Sequence, residues 1–401
     1  MIIISKSRQA VPSVLIFLPT RTITMDSVDQ REPTQILDNV DVDLVAKVLI
    51  QTVFSPFFIF FIPVFYRFQG IEFDSPVFIY SSIYFCVVSS FWLLKWFSRL
   101  YRNGGNILLA PKRLDWGEQI VVITGGASGI GELIANTLAV RNVTTIVLDI
   151  NPIITENYNI TYYKCDVSNW EEVEAVSKKI VEEIGHPTVL INNAGVVQGK
   201  LLLDLSPEDV KQTFDVNVVS HFWTLKAFLP EMIKRKSGHI VTLSSVLGLV
   251  GVAQMSDYSA SKAALVNLSE SLRYELDKRY NTPSIRTTLV LAGHTMTPLF
   301  SKMSLPSSWF HRFFTPSVPP YIIAKTVIAA IDEQESRTIF LPFYTNFVKW
   351  VTILPSYIRD LFQWISGADY AMEGFTKVSG KRPDERGELD SVAGSSHSKA
   401  E

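Results

Sequence analysis

The chain has 401 residues but only two cysteines, Cys86 and Cys165. They lie far apart, in different kinds of segment, so neither a disulfide framework nor a Cys-ligated metal site is indicated, and a reducing, cytosol-facing compartment fits. Neither sign of charge dominates. Thirty-seven basic residues stand against 39 acidic ones, a net charge of -2, which argues against a nucleic-acid partner. Charge of either sign is itself scarce, at 19% against 47% hydrophobic residues. That balance is more apolar than an ordinary soluble domain and points to membrane contact.

The apolar excess is concentrated near the N-terminus. Residues 1–47 form a mostly polar segment. Within it, residues 1–25 carry Lys6, Arg8 and Arg21 with no acid before Asp26, and read equally as a weak targeting signal or as a segment without function, with Met25 as an alternative start. Residues 48–102 read as a membrane-anchoring region. The stretches 48–66 and 75–94 are free of charge and near the length needed to cross a hydrocarbon core of about 30 Å. Pro56 and Pro63 make the first a kinked span or half of a hairpin dipping into one leaflet. The second ends in Lys95, Trp96, Arg99, Tyr101 and Arg102, and Lys112 and Arg113 follow. By the positive-inside tendency, everything beyond then faces the cytosol. The rival reading is a buried helical hairpin on a catalytic domain.

From 115 to 341 the pattern changes to apolar strands alternating with amphipathic helices, the signature of a Rossmann-type, doubly wound parallel sheet. Strands are expected at 119–124, 145–149, 162–165, 188–191, 239–243, 286–291 and 338–341, and helices at 130–140, 170–184, 210–234, 258–280 and 321–332. Residues 297–320 form a long aromatic loop, which reads as a lid. The apolar extension 342–376 includes a mixed stretch at 343–365 that either packs on the domain, the preferred expectation, or lies in a membrane interface. Residues 377–401 read as a disordered polar tail.

Between the first strand and first helix runs Thr124-Gly125-Gly126-Ala127-Ser128-Gly129-Ile130-Gly131. Glycines let such a turn approach a pyrophosphate, and the N–H groups at the helix start stabilise its charge. Asp149 ends the second strand, where its carboxylate would bond the adenosine ribose and repel a 2′-phosphate. No arginine follows it, so NAD is favoured over NADP.

The glycine spacing, together with Asn192-Asn193-Ala194-Gly195 and Tyr258-Ser259-Ala260-Ser261-Lys262, resembles the short-chain dehydrogenase/reductase family. The resemblance implies a Rossmann fold carrying its catalytic residues on the cofactor domain. Tyr258 and Lys262 stand one helical turn apart, and the ammonium together with an oxidised nicotinamide is expected to bring the phenol towards the range of a general base. The family pattern makes Ser245, rather than neighbouring Ser244, the group that orients substrate, and makes Asn217 part of a water-linked proton relay to Lys262. It also assigns cofactor contacts to Gly125, Ser128, Gly129, Ile130, Gly131, Asp149, Asp166, Asn193, Gly195, Tyr258, Lys262 and Thr297, and implies no metal. Where the family has Pro-Gly after the sixth strand, this chain has Ala292-Gly293, followed by His294. His294 reads as a loop hydrogen-bond donor rather than an acid–base residue.

The run His221-Phe222-Trp223-Thr224-Leu225-Lys226-Ala227-Phe228-Leu229-Pro230, with the apolar N-terminus, looks like the branch of membrane- and lipid-droplet-associated 17β-hydroxysteroid and retinol dehydrogenases. That implies hydride transfer between a nicotinamide cofactor and a lipophilic alcohol or ketone (a retinoid, steroid or other lipid alcohol), at the endoplasmic reticulum or a lipid droplet, with the catalytic domain cytosolic. The helices beginning near Val210 and Tyr258 resemble those that pair subunits, so a homodimer is an open expectation. Two rival functions are an NADPH-dependent ketone reductase and a catalytically silent membrane scaffold.

Overall fold

The computed structural model describes residues 40–104, 114–154, 157–301, 303, 305–306, 308–373 and 375. The expected targeting segment, the basic residues Lys112 and Arg113, and the polar tail from 377 lie outside the described residues.

The apolar region forms three helices, α1 (Val42–Gln51), α2 (Pro56–Phe68) and α3 (Pro76–Arg102). A break of 50° separates α1 from α2. Pro56 causes it, because proline has no N–H to continue the ladder and pushes the residue before it out of helical geometry. The carbonyls released at the break are taken up by α3: Tyr84 Oη donates to Val53 O and Trp92 Nε1 to Phe54 O, both at 2.7 Å. Such satisfaction by a neighbouring helix is what lets a broken helix exist in an apolar medium. Among the described residues, α3 is the one unbroken helix long and apolar enough to cross a membrane, and the bent α1–α2 pair passes the same test only as one span. Val88 is the single buried residue of α3, so this helix is no part of the catalytic core.

Contacts at both ends tie the hairpin to the rest of the protein. At the end of α3, Arg99 Nε meets Glu335 Oε2 at 2.5 Å, and Asn103 Oδ1 accepts from Ser336 N at 2.6 Å. At the start of α1, Asp43 Oδ1 accepts from Phe343 N at 2.9 Å.

The sheet has seven parallel strands in the order β3-β2-β1-β4-β5-β6-β7. They are β1 (Ile120–Thr124), β2 (Thr144–Asp149), β3 (Ile160–Lys164), β4 (Val189–Asn192), β5 (His239–Ser245), β6 (Arg286–Ala292) and β7 (Arg337–Leu341). Helices α4 (Gly129–Val140) and α10 (Pro320–Asp332) cover one face, with Ile134, Leu138, Ile323 and Val327 packed on Val121, Ile123 and Val290. Helices α5 (Trp170–Glu183), α7 (Ser220–Arg235) and α8 (Ser256–Lys278) cover the other, where Ile180, Met232 and Leu276 pack on Val122, Leu190 and Ile240. Burial on both faces is why the central strands read as continuous apolar runs rather than as alternating ones. Strand order reverses between β1 and β4, so a crevice opens beyond their carboxyl ends, at Thr124 and Asn192.

Several elements differ from expectation. Strand β3 pairs with β2 from Ile160↔Thr145 to Lys164↔Asp149, two residues earlier at its start than apolar content suggests, because backbone register rather than side-chain polarity fixes an outer strand. The single helix expected at 210–234 is two. The first, α6 (Pro207–Phe214), starts early because Ser206 and Asp209 form a capping box, and a π-type segment, Asp215–Val219, separates it from α7. The 297–320 loop contains a short helix, α9 (Trp309–Phe314), and beyond the sheet the stretch 343–365 folds into α11 (Thr345–Val351) and α12 (Ser356–Ser366).

Candidate active site

The glycine turn at the end of β1 is built for close backbone approach. Gly125 and Gly129 have φ of 64° and 60°, a left-handed conformation that L side chains rarely adopt. Gly131 lies beneath the turn: a Cβ there would stand 2.3 Å from Gly125 O and 2.5 Å from Asn193 Nδ2. Asn193 Nδ2 donates to Thr124 O and Gly125 O at 3.1 and 2.8 Å. Its side chain therefore fastens the turn, and the residue also lines the cavity beside it.

Asp149 closes β2 over this turn. Its Oδ2 accepts from Ala127 N at 3.0 Å and its Oδ1 from Asn151 N at 2.9 Å. Asp166 caps its own loop, with Oδ1 accepting from Ser168 N and Oγ at 2.9 and 2.7 Å. Gly125, Ser128, Gly129, Ile130, Asp149, Asp166, Asn193, Gly195 and Thr297 all line one cavity of about 1130 Å³. Drug-sized ligands occupy roughly 300–1,000 Å³, so this space accommodates a dinucleotide with room beyond it. The left-handed glycines, the tightly approached helix start and the carboxylate on the neighbouring strand fit a nicotinamide dinucleotide. Gly131 and Asn217 are absent from the lining and act from behind it.

Ser245, Tyr258 and Lys262 converge on the same cavity. Ser245, extended at the end of β5, bonds Ala292 O and Leu247 N, both at 3.2 Å, and is near enough to Tyr258 to lower its pKa slightly. Ser244, by contrast, donates to Lys262 O at 3.0 Å, so its hydroxyl is committed to α8. Tyr258 is 4% exposed, and burial drives its hydroxyl well above the usual phenol range, against a smaller lowering by Ser245. Lys262 Nζ sits 5.5 Å from the centre of the Tyr258 ring and donates to Leu243 O at 3.1 Å. Burial pushes the ammonium itself down to about 8.

Asn217 lies within the π-type segment, fully buried. It accepts from Val196 N at 2.8 Å and donates to Val196 O and Ser261 Oγ, both at 3.0 Å. It thereby joins the loop after β4 to the turn of α8 between Tyr258 and Lys262. His221, which the sequence marked only as the start of a helical run, is buried. Its Nδ1 has no partner, and burial, reinforced by the Lys262 charge, pushes its pKa down to about 3. No motif signals His221, since its significance comes from proximity to Lys262 across the fold. His294 pairs its Nδ1 with Ser317 Oγ at 2.7 Å, in agreement with a loop role. Under Gly293, where a Cβ would meet Tyr344 Oη at 2.5 Å, a tyrosine of the C-terminal extension packs against the loop that lacks the family's proline.

Beyond Tyr258 the cavity turns apolar. Phe300 stands edge-on to the Tyr258 ring at 6.0 Å, and Met303, Leu305, Phe314, Val351 and Phe362 continue the wall.

A switch-point crevice with a glycine turn, a strand-end carboxylate and a Ser-Tyr-Lys group defines a Rossmann-type dinucleotide oxidoreductase. The chain belongs to the short-chain dehydrogenase/reductase family of nicotinamide-dependent oxidoreductases, and the family model for short chain dehydrogenases matches residues 119–306. It is 42% identical over 203 residues to Dehydrogenase RED2 of Cochliobolus heterostrophus, across 50% of this chain and 76% of that protein. It is 34% identical over 303 residues to Retinol dehydrogenase 10-B of Danio rerio, across 68% of this chain and 89% of the relative. Among solved structures, the ligand-free aldohexose dehydrogenase of Thermoplasma acidophilum superposes with a TM-score of 0.50 at 25% identity, over 57% of this chain and 94% of that one.

Proposed function

We propose that the protein interconverts a lipophilic alcohol and its ketone or aldehyde, with NAD as the preferred cofactor, while anchored in an intracellular membrane by α3. The observation that carries the substrate class is the apolar wall that begins at Phe300, directly against Tyr258, and runs on through Met303, Leu305, Phe314 and Phe362. Such a wall favours a hydrocarbon skeleton by about 25 cal/mol per Å² buried, while leaving two hydroxyls to fix one oxygen atom. Retinoids, steroids and other lipid alcohols have this form, and resemblance to retinol dehydrogenases supports it. Asp149 and the lack of any arginine among the described cavity-lining residues support NAD. The charge-free core of α3 supports anchorage, and the basic residues after it support a cytosolic catalytic domain at the endoplasmic reticulum or a lipid droplet.

In this reading Ser245 Oγ holds the substrate oxygen and Tyr258 Oη carries its proton to and fro. A bound nicotinamide would supply the hydride acceptor or donor and, when oxidised, a positive charge. Lys262 fixes the ribose, and its ammonium opposes the cost of phenolate in a buried site. Asn217 is a positioning residue that keeps α8 and the loop after β4 in register with each other.

The test is an absorbance screen of lipid alcohols and ketones with both cofactors, using the detergent-solubilised full chain. Tyr258→Phe should lower kcat by about 10² to 10⁴, the worth of a placed proton-transfer group. Turnover within about tenfold of the wild type would remove Tyr258 from the mechanism.

A further inference from the structure

The cavity beside Tyr258 does not close off inside the protein. Phe310, Phe314, Phe347 and Phe362 line it and are nevertheless 45%, 44%, 53% and 50% exposed. They form the rim of a mouth. Around that rim, residues that take no part in the lining point outwards: Trp350, Ile353, Leu361 and Trp364 are 69%, 74%, 52% and 75% exposed. A contiguous apolar patch around a cavity mouth is not ordinary surface, because soluble proteins keep such patches small.

Two observations identify what covers it. The first is continuity with the anchor: α11 leaves the sheet where Phe343 N bonds Asp43 in the first turn of α1, so the patch begins beside the apolar hairpin. The second is the mouth itself, since a protein seated on the rim would block the path to Tyr258, whereas a bilayer covers the rim and still delivers apolar molecules. The composition suits a membrane interface, with tryptophans at the level of the headgroups and Lys349 and Arg359 nearby for phosphate.

We infer that α9, α11 and α12 form a second, in-plane membrane contact, lying in the boundary between headgroups and acyl chains, and that the cavity opens through it directly into the bilayer. Substrate enters sideways from the lipid without crossing water. This rests on the reading of a membrane-anchored enzyme for lipophilic alcohols.

The experiment uses the full chain in phosphatidylcholine vesicles with and without brominated acyl chains. Bromolipid should quench wild-type tryptophan fluorescence more than that of the Trp350→Phe/Trp364→Phe variant, which keeps every tryptophan of α3. In the same vesicles, W350E/I353E/L361E/W364E should raise KM for a membrane-partitioned long-chain secondary alcohol at least about tenfold. Its kcat, its cofactor Kd and its KM for a short water-soluble alcohol should stay at wild-type values, which also shows that the variant is folded. Wild-type protein that does not float with vesicles overturns both this inference and the anchor. Protein that floats but shows equal quenching in the two tryptophan backgrounds, or an unchanged long-chain KM in the glutamate variant, overturns this inference alone. A detergent-stable dimer dissolved by the same glutamates assigns the face to a second copy and likewise overturns it.

Discussion

Consider Lys262→Met, which keeps most of the side-chain stem and deletes the charge. Lys262 is 4% exposed, and burial holds its ammonium at about 8 against an ordinary 10.5. At about 1.36 kcal/mol per pH unit, that difference corresponds to roughly 3 kcal/mol of native-state cost while the group is charged. Against it stands the bond to Leu243 O, whose loss leaves a buried acceptor and costs about 1–3 kcal/mol. The balance is a gain of about 1 kcal/mol, with turnover lost. The pH dependence gives the sharper test. A lysine whose folded pKa lies below its unfolded one weakens the fold fully below pH 8, and the penalty fades as the folded state sheds its proton between 8 and 10.5. The advantage of Lys262→Met should therefore be greatest at neutral pH and give way, by about pH 10.5, to a deficit of about 1–3 kcal/mol from the lost bond to Leu243 O. Thermal unfolding of the cofactor-free, detergent-solubilised chain from pH 7 to 10.5 reads this directly. A wild-type to variant difference that stays flat across the range would refute the claim that Lys262 is held charged at a cost to the fold.

Asp149→Asn keeps acceptor geometry for Ala127 N but removes the charge, and should shift the ratio of NAD to NADP dissociation constants towards NADP by about tenfold or more, as measured by cofactor fluorescence titration. Gly131→Ala would set a methyl 2.3 Å from Gly125 O, so the unfolding midpoint should fall by the equivalent of about 1–3 kcal/mol and cofactor affinity should drop with it. His221 and His239 are buried and held at about 3, below their unfolded value. Their stabilisation is present above pH 6.5 and is lost as pH falls, at up to about 2.7 kcal/mol per pH unit for the pair. His221→Leu should halve that slope in acid unfolding curves.

The strands and the glycine turn were legible because their signals are local: apolar runs of strand length, glycines where the chain must turn, an Asp at a strand end. The spacing of Tyr258 and Lys262 was legible for the same reason, since both lie on α8. What the sequence could not carry was distance across the fold. His221 acquires its low pKa from elements far from it in the chain. Asn193 reads as a cofactor contact, and only the fold shows that its amide also bonds Thr124 and Gly125. The burial that raises the pKa of Tyr258 is likewise a property of everything packed around it, which no motif states. The C-terminal helices escaped because a mixed apolar pattern suits both packing and membrane contact, and in α11 and α12 Phe347 and Phe362 line the cavity while Trp350 and Trp364 are exposed.

The π-type segment Asp215–Val219 sets the phase between α6 and α7. An α-helix advances about 100° per residue, and a π-type turn accommodates one residue more than the regular ladder allows. Helix α7 is therefore offset from α6 by about one such step, and this offset lets Thr213 on one side and Leu225, Phe228 and Met232 on the other all face inward. Asn217 sits at the slip. Removing any single residue from 215–219 would put the two helices back in step and turn the inward face of one of them away from the sheet. The length of this stretch is thus as strictly specified as its composition, in the way that a reading frame is specified apart from the letters it contains.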